Sequence, residues 1–148
     1  MAHEIKLKIY YEDTDAGGVV YYANYLRYME RARTEFLADK GINIAEMHNQ
    51  GYFFVVTHVD IHYKRSARLG DVITITTGIT ELKNASMTIK HRVLKDDTLI
   101  AEALVTLACI DRNGKPTRFP ENFRSLRQIG TTPLTGFSKC KNKALMIK

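Results

Sequence analysis

Hydrophobic and polar positions change period twice near the start of the chain. Ile5, Leu7, Ile9 and Tyr11 alternate with Glu4, Lys6, Lys8 and Tyr10, the period of two that predicts a strand with one face buried. After Gly17 and Gly18 the period lengthens, and Tyr25, Met29, Ala32 and Phe36 recur at helical spacing. Arg27, Glu30, Arg31, Arg33, Thr34 and Glu35 occupy the other faces of that helix. It should run about five turns and stop near Lys40 and Gly41, a basic last residue followed by a glycine. Beyond it the pattern is mostly strand. "VVTHVDIHYK" sets Val55, Thr57, Val59, Ile61 and Tyr63 against Val56, His58, Asp60, His62 and Lys64, and "DVITITTGIT", "SMTIKHRVL" and "LIAEALVTLACI" follow. The short polar breaks "ELKNAS" and "LKDDT" imply antiparallel neighbours. "ENFRSLRQI" suggests one more short helix after the turn of Asn113, Gly114 and Pro116.

One long helix and about five strands predict an α+β domain over residues 1–129. A single helix covers only part of such a sheet, so the remaining apolar surface and strand edges call for a second copy of the chain. A homodimer or homotetramer is therefore expected.

Composition narrows this picture. The 148 residues suit one domain with its own core, and the formal charge of +6 would invite a nucleic-acid partner if it were spread over a folded face. It is not: residues 1–129 carry 18 basic and 16 acidic side chains, and the excess sits in Lys139, Lys141, Lys143 and Lys148. Residues 130–148 thus read as a basic, loosely ordered tail, and no nucleic-acid partner is expected. The opening residues lack the basic and apolar regions of a secretory signal, and no apolar run reaches a membrane span, which predicts a cytoplasmic protein. Cys109 and Cys140 form no CxxC pair, and Cys109 lies in an apolar run where a thiol packs as a small hydrophobe.

Chemistry concentrates in "YEDTDAGGVVYYANY", residues 11–25. By the strand's alternation Tyr11, Asp13 and Asp15 keep the buried parity, so the chain should carry acids inward as it leaves the sheet. Asp, Thr and Gly before a helix also make an ordinary capping turn. The same parts suit catalysis: glycines admit a ligand to the backbone, and N–H groups at a helix start stabilise an oxygen that turns negative. A carboxylate beside such amides is the minimal equipment for acyl hydrolysis. His58, Asp60 and His62 share a strand face, but neighbours there stand roughly 6.6 Å apart, too far for one strand to chelate a metal. Glu30 and Glu35 on the helix are expected to pair with Arg27, Arg31 or Arg33. The absence of a Gx[ST]xG run argues against a serine hydrolase.

The run "YYEDTDAGGVVYYANYLRYMERARTEFL" resembles the signature of hotdog-fold acyl-CoA thioesterases of the 4-hydroxybenzoyl-CoA thioesterase type, in their bacterial Tol–Pal-associated branch. "VDIHYKRSARLGDVITI" and the order of strands extend the likeness to about residue 125. The resemblance implies a hotdog fold, an antiparallel sheet wrapped around one central helix, and hydrolysis of acyl-CoA to a free acid and coenzyme A. Asp15, the second aspartate of "DTD", matches the family's catalytic carboxylate, as nucleophile or general base, while Asp13 shapes the turn. The amide that polarises the thioester carbonyl maps onto Tyr22, with Gly17 and Gly18 giving close approach. Many members carry histidine where this chain has Tyr22, so the amide is the role carried over. For coenzyme A the resemblance points to the turn of Lys83, Asn84 and Ser86, with Lys64, Arg65, Arg68 and Arg118 as further candidates. Thiolate leaves readily, so no metal or other cofactor is implied. An acyl carrier protein, and peripheral inner-membrane or Tol–Pal association, are the further partners that the branch suggests.

Two other classes fit the fold. One is a non-catalytic acyl-CoA or acyl-carrier binding scaffold at the cell envelope. The other is a hotdog hydratase, which needs a histidine and acid pair that the opening stretch lacks.

Overall fold

The computed structural model describes residues 3–129. The expected tail, residues 130–148 with Cys140, lies outside the described residues. Five strands form one sheet: β1 (His3–Lys8), β2 (Phe53–Tyr63), β3 (Val72–Leu82), β4 (Ser86–Lys95) and β5 (Thr98–Ile110). Their order is β1-β3-β4-β5-β2, and every neighbouring pair is antiparallel. β3, β4 and β5 are joined by tight turns and make the central meander, which leaves β1 and β2 as the two edges.

Helix α1 (Asn24–Asp39) lies against β1 and β3. Tyr25, Met29, Ala32 and Phe36, the positions of the helical period, are all buried, and with Ile73, Ile75, Ile89, Val93 and Val105 they form the core. This is the α+β hotdog arrangement. The helix stops where expected: the Gly41 N–H returns to the Ala38 carbonyl and its φ of +83° suits glycine.

The fold departs from the pattern in four places. β1 ends at Lys8, and Tyr11–Asp13 turn as a single 3-10 helix, so the alternation does not reach Asp15. The Asp13 carboxylate accepts the Tyr10 N–H at 2.8 Å and bends the chain there. A bulge between Val56 and His58 resets β2, so that Asp60 and Ile61 are both buried while Val55 and Val56 are exposed. A second helix, α2 (Ile44–Asn49), is capped by Asn43, whose side chain accepts the Glu46 N–H at 3.1 Å. Lastly, Arg33 faces inward and is only 9% exposed. The short helix expected after Pro120 is present as 3-10 structure over Glu121–Ile129.

Candidate active site

The junction between β1 and α1 is a loop closed on itself. Thr14 bridges Val20, and the Asp15 N–H donates to the Val19 carbonyl at 2.8 Å. Gly18, at φ +79°, turns the chain back so that its N–H reaches the Asp15 carbonyl. The loop is then sewn to the β2–β3 connection: Val19 bridges Arg68, and the Val20 N–H donates to the Ala67 carbonyl at 2.9 Å. The seven residues from Thr14 to Val20 are therefore held by hydrogen bonds within the loop and to the β2–β3 connection.

Asp15 stands on the outside of that loop. Its carboxylate accepts the Gly17 N–H at 2.8 Å, and the residue is exposed, contrary to the inward parity expected from β1. The 3-10 turn is the reason, since three residues of helical backbone between strand and aspartate cancel the strand's alternation. Tyr11, on the same expected parity, is 82% exposed. A Cβ on Gly17 would sit 3.3 Å from the Asp15 Oδ1, so the missing side chain gives the carboxylate its room. Asp13 is structural: beyond holding the Tyr10 N–H, its carbonyl accepts from the Tyr21 N–H at 3.0 Å and from the Asn24 side chain at 2.9 Å.

Those contacts aim the start of α1 at the loop. Ala23 precedes the helix and supplies no side-chain cap. The N–H groups of Asn24, Tyr25 and Leu26 bond back to Tyr21, Tyr22 and Ala23 carbonyls, whereas those of Tyr22 and Ala23 donate to no acceptor among the described residues. Unpaired N–H groups at a helix start carry the positive end of the helix dipole. Tyr22 is 53% exposed, and its carbonyl is tied down by the Tyr63 hydroxyl at 3.1 Å. Tyr63 is packed edge-on against Tyr22, and burial, aided by the neighbouring phenols Tyr22 and Tyr25, pushes its own phenol up to about 12. Tyr63 thus stays a neutral donor, a positioning group that the sequence reading missed.

The cationic candidates for coenzyme A fall into two groups. Lys83, Asn84 and Arg118 line an open groove of about 490 Å³ with Phe119 and Arg124. Ser86 closes the hairpin there through its carbonyl, which accepts the Lys83 N–H at 2.8 Å, and its side chain is not part of the groove wall. Lys64, Arg65 and Arg68 stand instead on the exposed β2–β3 connection beside the Asp15 loop. Asp60 and His62 make a pair at 3.4 Å, and no group of three ligand-type side chains occurs among the described residues. Glu30 and Glu35 are exposed and form no ion pair with a described arginine; Arg33 has turned to His91 instead.

A profile of the thioesterase-like superfamily matches residues 10–126. The acyl-CoA thioesterase YbgC of Haemophilus influenzae is 37% identical over 123 residues, which span 80% of this chain and 89% of the relative. The acyl-CoA thioester hydrolase YbgC of Escherichia coli is 38% identical over 118 residues, 78% of this chain and 88% of the relative. Among solved structures, a probable thioesterase from Bartonella henselae superposes with a TM-score of 0.76 at 37% identity, covering 81% of this chain and 100% of the other.

Proposed function

This chain belongs to the thioesterase-like superfamily and is an acyl-CoA thioester hydrolase, and we propose that it works through Asp15 and the Tyr22 amide. The observation that carries this reading is one loop that holds an accessible carboxylate and is tied, through the Asp13 carbonyl, to a helix start whose Tyr22 and Ala23 N–H groups have no acceptor among the described residues. The thioester carbonyl lies against Asp15 with its oxygen on the Tyr22 N–H. Acting as a base, Asp15 takes a proton from water, and the hydroxide adds to the carbonyl carbon. Negative charge gathers on the oxygen held by the amide, a contact worth about 2.7–4 kcal/mol in the transition state. Collapse of the adduct breaks the C–S bond, and the thiolate of coenzyme A recovers the proton from Asp15. Acting as a nucleophile, Asp15 instead adds directly and expels the coenzyme A thiolate to form an anhydride, and water cleaves that anhydride to free acid and the Asp15 carboxylate, giving up a proton that the thiolate takes. Gly17 and Gly18 keep side chains out of the approach to either step.

The loop is open on one protomer, and the closing wall is a second copy. β2 is an edge strand whose Val55 and Val56 are 38% and 49% exposed, beside exposed Thr57 and His58. Antiparallel pairing of two β2 edges about a two-fold axis satisfies the free edge and buries those valines. Such a homodimer, or a tetramer of two of them, sets the catalytic loop in a cleft between subunits. Lys83, Asn84 and Arg118, or Lys64, Arg65 and Arg68, then supply the phosphate contacts of cytoplasmic coenzyme A. The fold also suits a scaffold that binds acyl-CoA or an acyl carrier protein at the membrane periphery without turning it over. Short, long and aromatic acyl-CoAs assayed for released thiol separate the two: turnover of any class supports the enzyme, and binding without thiol release supports the scaffold.

A further inference from the structure

Strand β1 is the second edge of the sheet, and a groove of about 400 Å³ runs between it and α1. Half-buried Ile5 and Leu7 line it from the strand, and Glu30, Arg31, Thr34 and Glu35 from the helix, with Lys6 alongside. The outer edge of the strand is open for pairing. Ile9 donates to the Asp71 carbonyl at 2.8 Å and accepts the Gly70 N–H at 2.9 Å, so its backbone turns toward the β3 side. By the alternation of an antiparallel ladder His3, Ile5 and Leu7 do the same, and the N–H and C=O groups of Glu4, Lys6 and Lys8 point away from β3. A free edge beside a half-buried apolar floor is the geometry at which an extended segment adds as a further strand. Glu30 and Glu35 are exposed on the wall, and neither forms an ion pair among the described residues, although Arg31 lies one turn before Glu35.

We propose that residues 139–147 of the same chain occupy this edge as a further strand beside β1, with Lys139, Lys141, Lys143, Leu145 and Ile147 turned toward α1. Residues 130–148 contain no acid, and those five positions alternate along the chain. One parity of an extended strand therefore supplies cations for Glu30 and Glu35 and aliphatic groups for Ile5 and Leu7. The reach suffices. Glu30 and Thr34 line this groove and also a cavity on the other side of α1, where Phe123 of the last 3-10 segment stands. Between Phe123 and the groove lies one helix width, about 10–12 Å. From the segment's end at Ile129 the chain to Lys141 extends to about 40 Å, at roughly 3.3 Å per residue. A second copy of the chain fits the edge less well. Fully overlapped pairing of two β1 strands about a two-fold axis opposes Lys6 to Lys6, and together with the β2 pairing given above it extends the sheet from copy to copy instead of closing it. The added strand clamps β1 to α1, the two elements that bracket the Asp15 loop.

The test uses the full chain and two readouts. Amide hydrogen exchange of Lys6 and Lys8 should be slowed in the native protein and should speed up by roughly 10-fold or more when Lys139, Lys141 and Lys143 are all changed to Glu, while the Ile75 amide in the central sheet keeps its rate. A carbodiimide, which joins a carboxylate to an amine in contact with it, should couple those three lysines to Glu30 and Glu35. Performed on ¹⁵N-labelled and unlabelled chains refolded together, with native mass spectrometry confirming that subunits have mixed, the coupled peptides should be wholly light or wholly heavy. Exchange of Lys6 and Lys8 at the rate of an open edge in the native chain overturns the proposal. Protection that persists in the triple variant overturns the choice of occupant, and absence of coupling to either glutamate overturns the contact with the groove wall. Mixed light and heavy couplings assign the strand to the partner subunit and overturn its placement on its own chain. The substitutions fall outside the core, and the Ile75 amide reports directly on whether the variant is folded.

Discussion

His91 is fully buried on β4, between Arg33 of α1 and Thr77 of β3, and it offers a direct test of the core. An arginine can only donate, so His91 Nε2 accepts from it and Nδ1 carries the hydrogen turned to Thr77 Oγ1 at 3.1 Å. Protonating the ring would bury a second cation 3.3 Å from the first. Burial first, and the Arg33 charge second, therefore hold the imidazole well below its usual range. The consequence for stability has a definite sign. The unfolded chain takes up a proton at His91 near pH 6.5 and the folded chain does not, so unfolding gains as pH falls through that value. Between pH 7.5 and 5.5 this linkage removes about 1.4 kcal/mol of stability, provided the folded ring stays neutral throughout. Urea unfolding at fixed protein concentration measures it, with His91→Gln as the reference that retains an acceptor for Arg33 but does not titrate. The native chain should lose about 1.4 kcal/mol more than the variant over that interval. Equal losses in the two proteins would refute the claim that His91 is held neutral in the core.

Five further outcomes follow from the same geometry. Gly18→Ala meets open space but keeps a left-handed φ of +79°, so it should lower stability by about 1–2 kcal/mol in the same urea assay. Gly17→Ala, whose Cβ presses on the Asp15 carboxylate at 3.3 Å, should instead lower kcat with little change in the unfolding midpoint. Tyr63→Phe removes the bond that fixes the Tyr22 carbonyl and should reduce kcat by up to about 10-fold, the value of one neutral hydrogen bond, in steady-state thiol release. With that phenol pushed up to about 12, its ionisation should leave no step in the native pH–rate profile below pH 10. Cys109 is buried, which pushes its thiol up to about 11, so in a Cys140→Ser background it should react with a chromogenic disulfide only after unfolding.

The sequence made the central architecture legible because two periods run through it cleanly. The helical spacing of Tyr25, Met29, Ala32 and Phe36 marked the core face of α1, and the alternation in β3 and β5 marked their buried sides. Parity misled at Asp15 because a local hydrogen bond, from the Tyr10 N–H to Asp13, converts the next residues to a 3-10 turn. A single bulge had the same effect in β2, since one extra residue exchanges the two faces of a strand. α2 is too short at six residues to show a period, although Asn43 followed by Glu46 was a readable start signal. Arg33 escaped because a charge on a helix is ordinarily solvated, and the partner that draws it inward, His91, lies 58 residues away in the chain. A cavity of about 360 Å³ beside Arg33 was equally hidden, as its walls come from α1, α2, three strands and the last 3-10 segment.

The site divides the same way. Asp15, Gly17, Gly18 and Tyr22 lie within eight residues of one another, and local signals drew attention to all four. Tyr63, which steadies that loop from β2, could be found only once β2 was folded against it. Exposure of Asp15 on one protomer is what makes a second copy part of the argument about function.

The central claim is that Asp15 drives thioester cleavage, and Asp15→Asn tests it most directly. The substitution keeps the acceptor for the Gly17 N–H, so the loop and the unfolding midpoint should be retained. Thiol release at saturating acyl-CoA should fall by about 10²–10⁴-fold, the usual contribution of a positioned acid or base, with KM nearly unchanged. Native turnover in a folded Asp15→Asn protein would contradict the account.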